Sequence, residues 1–177
     1  MIYKAGKGYQ PLCDLVASTN ISLIYSEWTC RNWTVISNPC FWEGVICNGT
    51  KVVELVITGA YLGGTIPSTL GNLSDLQTLD FSNNALGGSI PSNIGQLIKL
   101  ELLLLPENLL TSSLPSTLGY LTNLLSFSVF NNLLSSSIPS ALIGLSKRLE
   151  IFYLYDNFFT SSIPIYLGLY SQAVTVE

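Results

Sequence analysis

Apolar residues along this chain fall into a short phrase that recurs: Leu76, Leu79 and Phe81 followed by Asn84, then Leu100, Leu103 and Leu105 followed by Asn108. Two further repetitions read Leu124, Phe127, Val129, Asn132 and Leu149, Phe152, Leu154, Asn157. An earlier one, Val52, Leu55, Ile57, carries Ala60 where the others carry Asn. Behind each phrase comes an apolar residue and a proline, Ile66-Pro67, Ile90-Pro91, Leu114-Pro115, Ile138-Pro139 and Ile163-Pro164, at separations of 24, 24, 24 and 25 residues. A constant period of that size predicts a solenoid of five stacked coils. Apolar residues two apart share one face of a strand, and each coil's strand pairs in parallel with the next at about 4.8 Å. No coil buries its apolar face alone, so stacking must supply a continuous core of Leu, Ile and Phe, and the two ends need polar covers. The Asn column is predicted at the turn after each strand, where a carboxamide satisfies backbone groups that the turn leaves unpaired. Asn84, Asn108, Asn132 and Asn157 therefore read as structural residues, not ligand contacts.

With these residues in register, the stretch 51–172 resembles a leucine-rich repeat array of the plant type, whose coil follows LxxLxxLxLxxNxLxGxIPxxLGxL. Cys40-Phe41-Trp42-Glu43-Gly44-Val45-Ile46-Cys47 is similar to that family's amino-terminal cap motif, CxWxGVxC. The resemblance implies a leucine-rich repeat solenoid of about five 24-residue coils, with a parallel concave β-sheet, a convex side of short 3₁₀ segments and loops, and a helical, disulfide-bonded N-terminal cap. On this reading the cap occupies residues 1–50 and the repeats 51–177, with the array incomplete at its C-terminal end.

Composition adds a compartment. At 177 residues the chain suits one domain, but 48% apolar against 10% charged residues is unusual for a soluble surface. Sequons at Asn20, Asn32, Asn48 and Asn72 offer a solubilising device, since each is an N-glycan acceptor in a secretory pathway. Cys13, Cys30, Cys40 and Cys47 all precede the repeats, form an even set without CxxC spacing, and meet no His to complete a metal site. They read as disulfides, for which sequence alone permits three pairings. The family cap implies Cys40 with Cys47, leaving Cys13 with Cys30. Such bonds persist in an oxidising compartment, so the expected location is secreted or cell-surface. Residues 1–7 lack the apolar stretch of a signal peptide, so the natural chain is expected to begin earlier. The most apolar window, Leu100 to Leu110, is too short to cross a bilayer and contains Glu101, Pro106 and Glu107.

The same composition narrows the function. A net charge of −4 with seven scattered basic residues supplies no cationic stripe for nucleic acid. The absence of histidine removes the commonest general base and most zinc sites. Asp80, Glu101, Glu107, Glu150 and Asp156 are spread over open coils, without the deep pocket that raises a catalytic carboxyl's pKa. The pairs Gly63-Gly64 and Gly87-Gly88 lack the Lys and helix of a phosphate loop. No cofactor, metal or catalysis is expected.

Recognition is expected instead, and the resemblance implies the concave sheet as its place. The central outward column reads Val56, Asp80, Leu104, Ser128 and Tyr153. The following column reads Thr58, Ser82, Pro106, Phe130 and Tyr155, and the preceding one Glu54, Thr78, Leu102, Ser126 and Ile151. Early coils are polar there. Later coils gather Leu102, Leu104, Phe130, Ile151, Tyr153 and Tyr155 into an apolar and aromatic patch edged by Glu101, Glu107, Glu150 and Asp156. Five strands span about 20 Å, room for a short peptide, a few sugars or one edge of a protein. Trp28, Trp33 and Trp42 are read as a cover for the first coil.

One departure from the family pattern raises an alternative. The LxGxIP glycine, kept at Gly64 and Gly88, becomes Ser112, Ser136 and Ser161. Strand alternation then predicts two hydroxyl ladders, Thr111, Ser135 and Thr160 in one and Thr65, Ser89, Ser113, Ser137 and Ser162 in the other, an arrangement resembling ice-binding solenoids. The C-terminal stretch 172–177 reads as the start of another strand, so either the natural chain continues or a neighbour in a larger assembly covers that end.

Overall fold

A computed structural model describes residues 9–31, 34–35, 38–145, 148–160 and 174–175. Strands form where the inward columns were read: Lys51–Val56, Thr78–Asp80, Leu102–Leu104, Ser126–Ser128 and Ile151–Tyr153, paired in parallel in that order. Their register repeats the sequence period, so Glu54, Thr78, Leu102, Ser126 and Ile151 lie side by side across the sheet. Val56, Asp80, Leu104, Ser128 and Tyr153 do the same one pleat further on. Between these rows Leu55, Leu79, Leu103, Phe127 and Phe152 point inward, with no solvent exposure. The sheet gains Val45–Asn48, antiparallel to the first coil, and Val174–Thr175, parallel to the fifth, which matches the strand expected near the C-terminus.

On the opposite side the first four coils each make one 3₁₀ turn: Ser68–Asn72, Ser92–Gln96, Ser116–Tyr120 and Ser140–Gly144. Each buries a single apolar residue, Leu70, Ile94, Leu118 and Leu142. Adjacent turns pack so closely that a Cβ on Gly95 would lie 2.3 Å from the Thr117 carbonyl oxygen, which accounts for glycine in that column of the repeat.

The Asn column stitches each coil to the one before. Asn132 accepts at Oδ1 from the Leu110 N–H (3.0 Å) and donates from Nδ2 to the Leu105 (2.9 Å) and Val129 (3.1 Å) carbonyls. Asn108 does the same with the Leu86 N–H and the Phe81 carbonyl, and Asn157 with Leu134 and Val129. Because the stitch reaches backward, the first coil has no coil to reach, which explains Ala60 in place of Asn. Ala60 instead donates its N–H to Asn84.

A second parallel sheet was not expected: Gly63–Thr65, Ala85–Gly88, Leu109–Ser112, Leu133–Ser136 and Phe158–Phe159. Extended chain leaving each Asn turn lies beside its neighbour and hydrogen-bonds to it. Its register departs from the repeat, pairing Gly63 with Ala85, Gly87 with Leu109, Thr111 with Leu133 and Ser135 with Phe158. The strands are thus staggered by about two residues per coil, and the repeat-equivalent hydroxyls are not direct neighbours. Leu133 and Phe158, both exposed, stand beside Thr111 and Ser135 where the next rung of the first predicted ladder would be. That ladder, on which the ice-binding alternative rested in part, does not form in this sheet, and Ser89, Ser113 and Ser137 of the second lie beyond its strands. Ser161 and Ser162 lie outside the described residues. The serines that replace glycine keep its backbone, however: Ser112 and Ser136 have φ of 71° and 72°, beside 71° at Gly88.

The first coil is covered by the helices Gln10–Ser18 and Ile21–Ile24, which bury Leu12, Leu15 and Ile21. Disulfides join Cys13 to Cys30 and Cys40 to Cys47. Trp28 and Trp42 pack together at 4.7 Å, fully buried, with the Trp28 indole N–H donating to the Glu43 carbonyl. Trp33 lies outside the described residues.

Candidate functional site

The later coils bring the predicted aromatic residues into mutual contact. Phe130 stacks on Tyr155 with ring centroids 4.8 Å apart and planes 9° from parallel, and Tyr153 meets both edge-on, at 6.4 Å from Phe130 and 5.8 Å from Tyr155. All three are half-buried, as are Leu102 and Leu104, while Ile151 is 37% exposed. Phe130 and Tyr155 stack because they hold equivalent positions just past adjacent strands, and Tyr153, two residues before Tyr155, meets both from the row alongside. Parallel register puts such side chains about 4.8 Å apart.

Small residues on the fourth coil change the shape of this patch. In two successive rows a serine stands between bulky apolar neighbours: Ser126 between Leu102 and Ile151, and Ser128 between Leu104 and Tyr153. The result is a notch about 10 Å across, two strand spacings. Leu104, Pro106, Phe130, Ile151 and Tyr153 line an open groove of about 260 Å³ together with Ser82, Ser126 and Ser128. Ser126 and Ser128, expected as outward surface residues, are only 6% and 4% exposed because the larger side chains on either side lean over them. Pro106 is buried for the same reason. Among the described residues, the Ser128 hydroxyl is one of two buried side-chain groups with no hydrogen-bond partner. Reading the columns placed Ser126 and Ser128 on the outward face but outside the binding patch. The signal available was their size, a small residue flanked by large ones in the same row.

The predicted edge residues lie just outside the ends of the two strands that flank the fourth coil. Glu101 and Glu150 precede the strands of the third and fifth coils, and Glu107 and Asp156 follow them. Glu101 is half-buried and the other three are exposed. Glu101, Glu150 and Asp156 use their backbone in the turns, the Leu125 N–H donating to the Glu101 carbonyl for example. The lysine–carboxylate pairs lie elsewhere, both on Asp75, where Lys99 and Lys51 hold its carboxyl below the usual carboxylate range. Towards the earlier coils Asp80 is committed locally, accepting from the Ser82 N–H and hydroxyl.

Of the sequons, Asn48 and Asn72 are exposed and Asn32 lies outside the described residues. Asn20 is half-buried and already engaged, accepting from the Gly63 N–H at 2.7 Å and donating to the Tyr61 carbonyl. Among the described residues no helix is long and apolar enough to cross a membrane.

A curved stack of parallel-strand coils with an aromatic concave face defines a solenoid of the recognition type. Residues 75–97 match the family Leucine Rich Repeat. An 80-residue segment is 31% identical to Protein STRUBBELIG of Arabidopsis thaliana, covering 44% of this chain and 10% of that protein, so the match spans about a tenth of this relative's length. A chain of the BIR3–SERK2 complex from Arabidopsis thaliana superposes with a TM-score of 0.80 at 32% identity, over 93% of this chain and 92% of that one. The leucine-rich repeat ectodomain of the Arabidopsis receptor kinase HAESA, solved with an extended IDA peptide hormone, gives 0.75 at 29% identity over 95% of this chain and 29% of that one. The chain belongs to the plant-type leucine-rich repeat proteins.

Proposed function

We propose that this chain is a non-catalytic, extracellular recognition module that binds a protein or peptide on its concave face, through the patch around Phe130, Tyr153 and Tyr155. The observation that carries the reading is the aromatic cluster itself: three rings held in contact on an open surface, beside a groove, on strands whose inward side chains are locked in the core. Contiguous aromatic area of this kind anchors interfaces, and its rigid backing lowers the entropy lost on binding. The reading is supported by the similar folds solved as a protein complex and with a peptide hormone. The disulfides and exposed sequons agree with an oxidising compartment.

The test compares immobilised wild-type chain with Phe130→Ala and Tyr155→Ala in capture from the extracellular fraction of the tissue that makes it. A ligand held by the wild type is expected to bind each variant about 30-fold more weakly, about 2 kcal/mol. Equal retention by all three moves the binding surface to another face.

A further inference from the structure

The serine notch specifies more than a face, and the inference that follows rests on the concave-face reading above. We propose that the notch on the fourth coil receives a lysine or arginine side chain from an extended, basic peptide segment. Three independent features converge. The notch is walled by Leu104 and Tyr153 and roofed at one side by Phe130, surfaces that suit an alkyl stem and the face of a cation. Its floor is Ser128, which lines the groove on the outward face of the strand, is 4% exposed, and carries a buried hydroxyl without a partner. A buried hydroxyl left unpaired carries a desolvation cost, and a ligand N–H reaching that floor relieves it.

Charge completes the selection. Glu101, Glu150, Glu107 and Asp156 stand on the third and fifth coils at both ends of the flanking strands, and among the described residues no side-chain hydrogen bond or ion pair engages their carboxylates. A chain running across the coils, perpendicular to the strands, passes between these two acidic edges. Cations at alternate positions of an extended ligand would meet one edge or the other, while an acidic ligand is repelled by both. The acidic edges alone would attract any cation. The unpartnered hydroxyl inside an apolar notch marks where one particular side chain goes.

The experiment selects binders from a randomised library of displayed dodecapeptides, using the disulfide-intact chain at low salt. Selected peptides are expected to carry lysine or arginine beside a large apolar residue, and to bind about tenfold more weakly at 0.5 M NaCl. They should bind Ser128→Phe, which fills the notch, at least tenfold more weakly. They should lose a comparable factor in the combined Glu101→Gln, Glu107→Gln, Glu150→Gln and Asp156→Asn variant, which leaves the notch and core intact. Neutral or acidic peptides that still lose binding in Tyr155→Ala would overturn the cationic inference and leave the concave face standing. Selected peptides indifferent to every concave substitution would overturn both. A selection that enriches nothing also overturns the cationic inference, because the notch is already formed in the free chain.

Discussion

Asn132 and Ser128 lie on the same coil, are each 4% exposed, and carry polar groups that meet opposite fates. The Asn132 carboxamide is bonded on every side to backbone of its own coil and the one before. The Ser128 hydroxyl touches no partner. The first arrangement holds coils together and recurs at Asn84, Asn108 and Asn157, whereas among the described residues the second is found at Ser128, on the face that varies from coil to coil, and at Thr69. Equal burial therefore has different meanings. A polar group satisfied by backbone is part of the scaffold, and on the reading proposed above the hydroxyl left open at Ser128 is where a ligand atom would pair.

The sharpest way to break this comparison is to truncate both residues. Asn132→Ala takes the side-chain acceptor from the Leu110 N–H and leaves the Leu105 carbonyl with only the longer bond from Asn108, and is expected to cost about 2 kcal/mol in denaturant unfolding. Failure to see such a loss would mean that neighbouring coils relax to pair these groups themselves. A smaller effect of opposite sign is expected at Ser136, a non-glycine residue held at φ 72°. Ser136→Gly should stabilise by about 0.5–1 kcal/mol, the relieved left-handed strain exceeding the extra flexibility of the unfolded chain. Ser128→Ala is expected to cost no stability and to raise it by up to about 0.5 kcal/mol, because no intramolecular bond is lost and an unpaired buried hydroxyl is removed. A large loss there would place Ser128 with the Asn column and remove it from the binding site.

The smallest effect supplies a solvated reference. Asp75 is drawn below the ordinary carboxylate range by Lys99 first and Lys51 second. Its contribution is therefore present above the unfolded carboxylate pKa and is lost as pH falls through the lower folded value. Asp75→Asn should lower the thermal midpoint slightly at neutral pH and low salt. The difference from wild type should vanish in acid and in high salt.

Where the period of the sequence coincides with the spacing of the coils, reading along the chain was sufficient. The inward Leu and Phe columns, the Asn stitches and the main sheet's row composition all follow from a 24-residue repeat, because parallel strands in zero stagger place equivalent residues side by side. The second sheet breaks that coincidence. Its stagger sets Thr111 beside Leu133 and Ser135 beside Phe158, so hydroxyls aligned in the repeat are separated in space.

For the binding face, the sequence by itself determined which side chains leave the core: Leu104, Phe130, Tyr153 and Tyr155 were legible from the strand's two-residue alternation. Their depth was not, since alternation assigns a direction and says nothing of what leans over a short side chain. Only tertiary structure decided that Ser126 and Ser128 sink between larger neighbours and that three rings close against each other. These depend on volumes meeting across strands about two dozen residues apart, which no local pattern encodes.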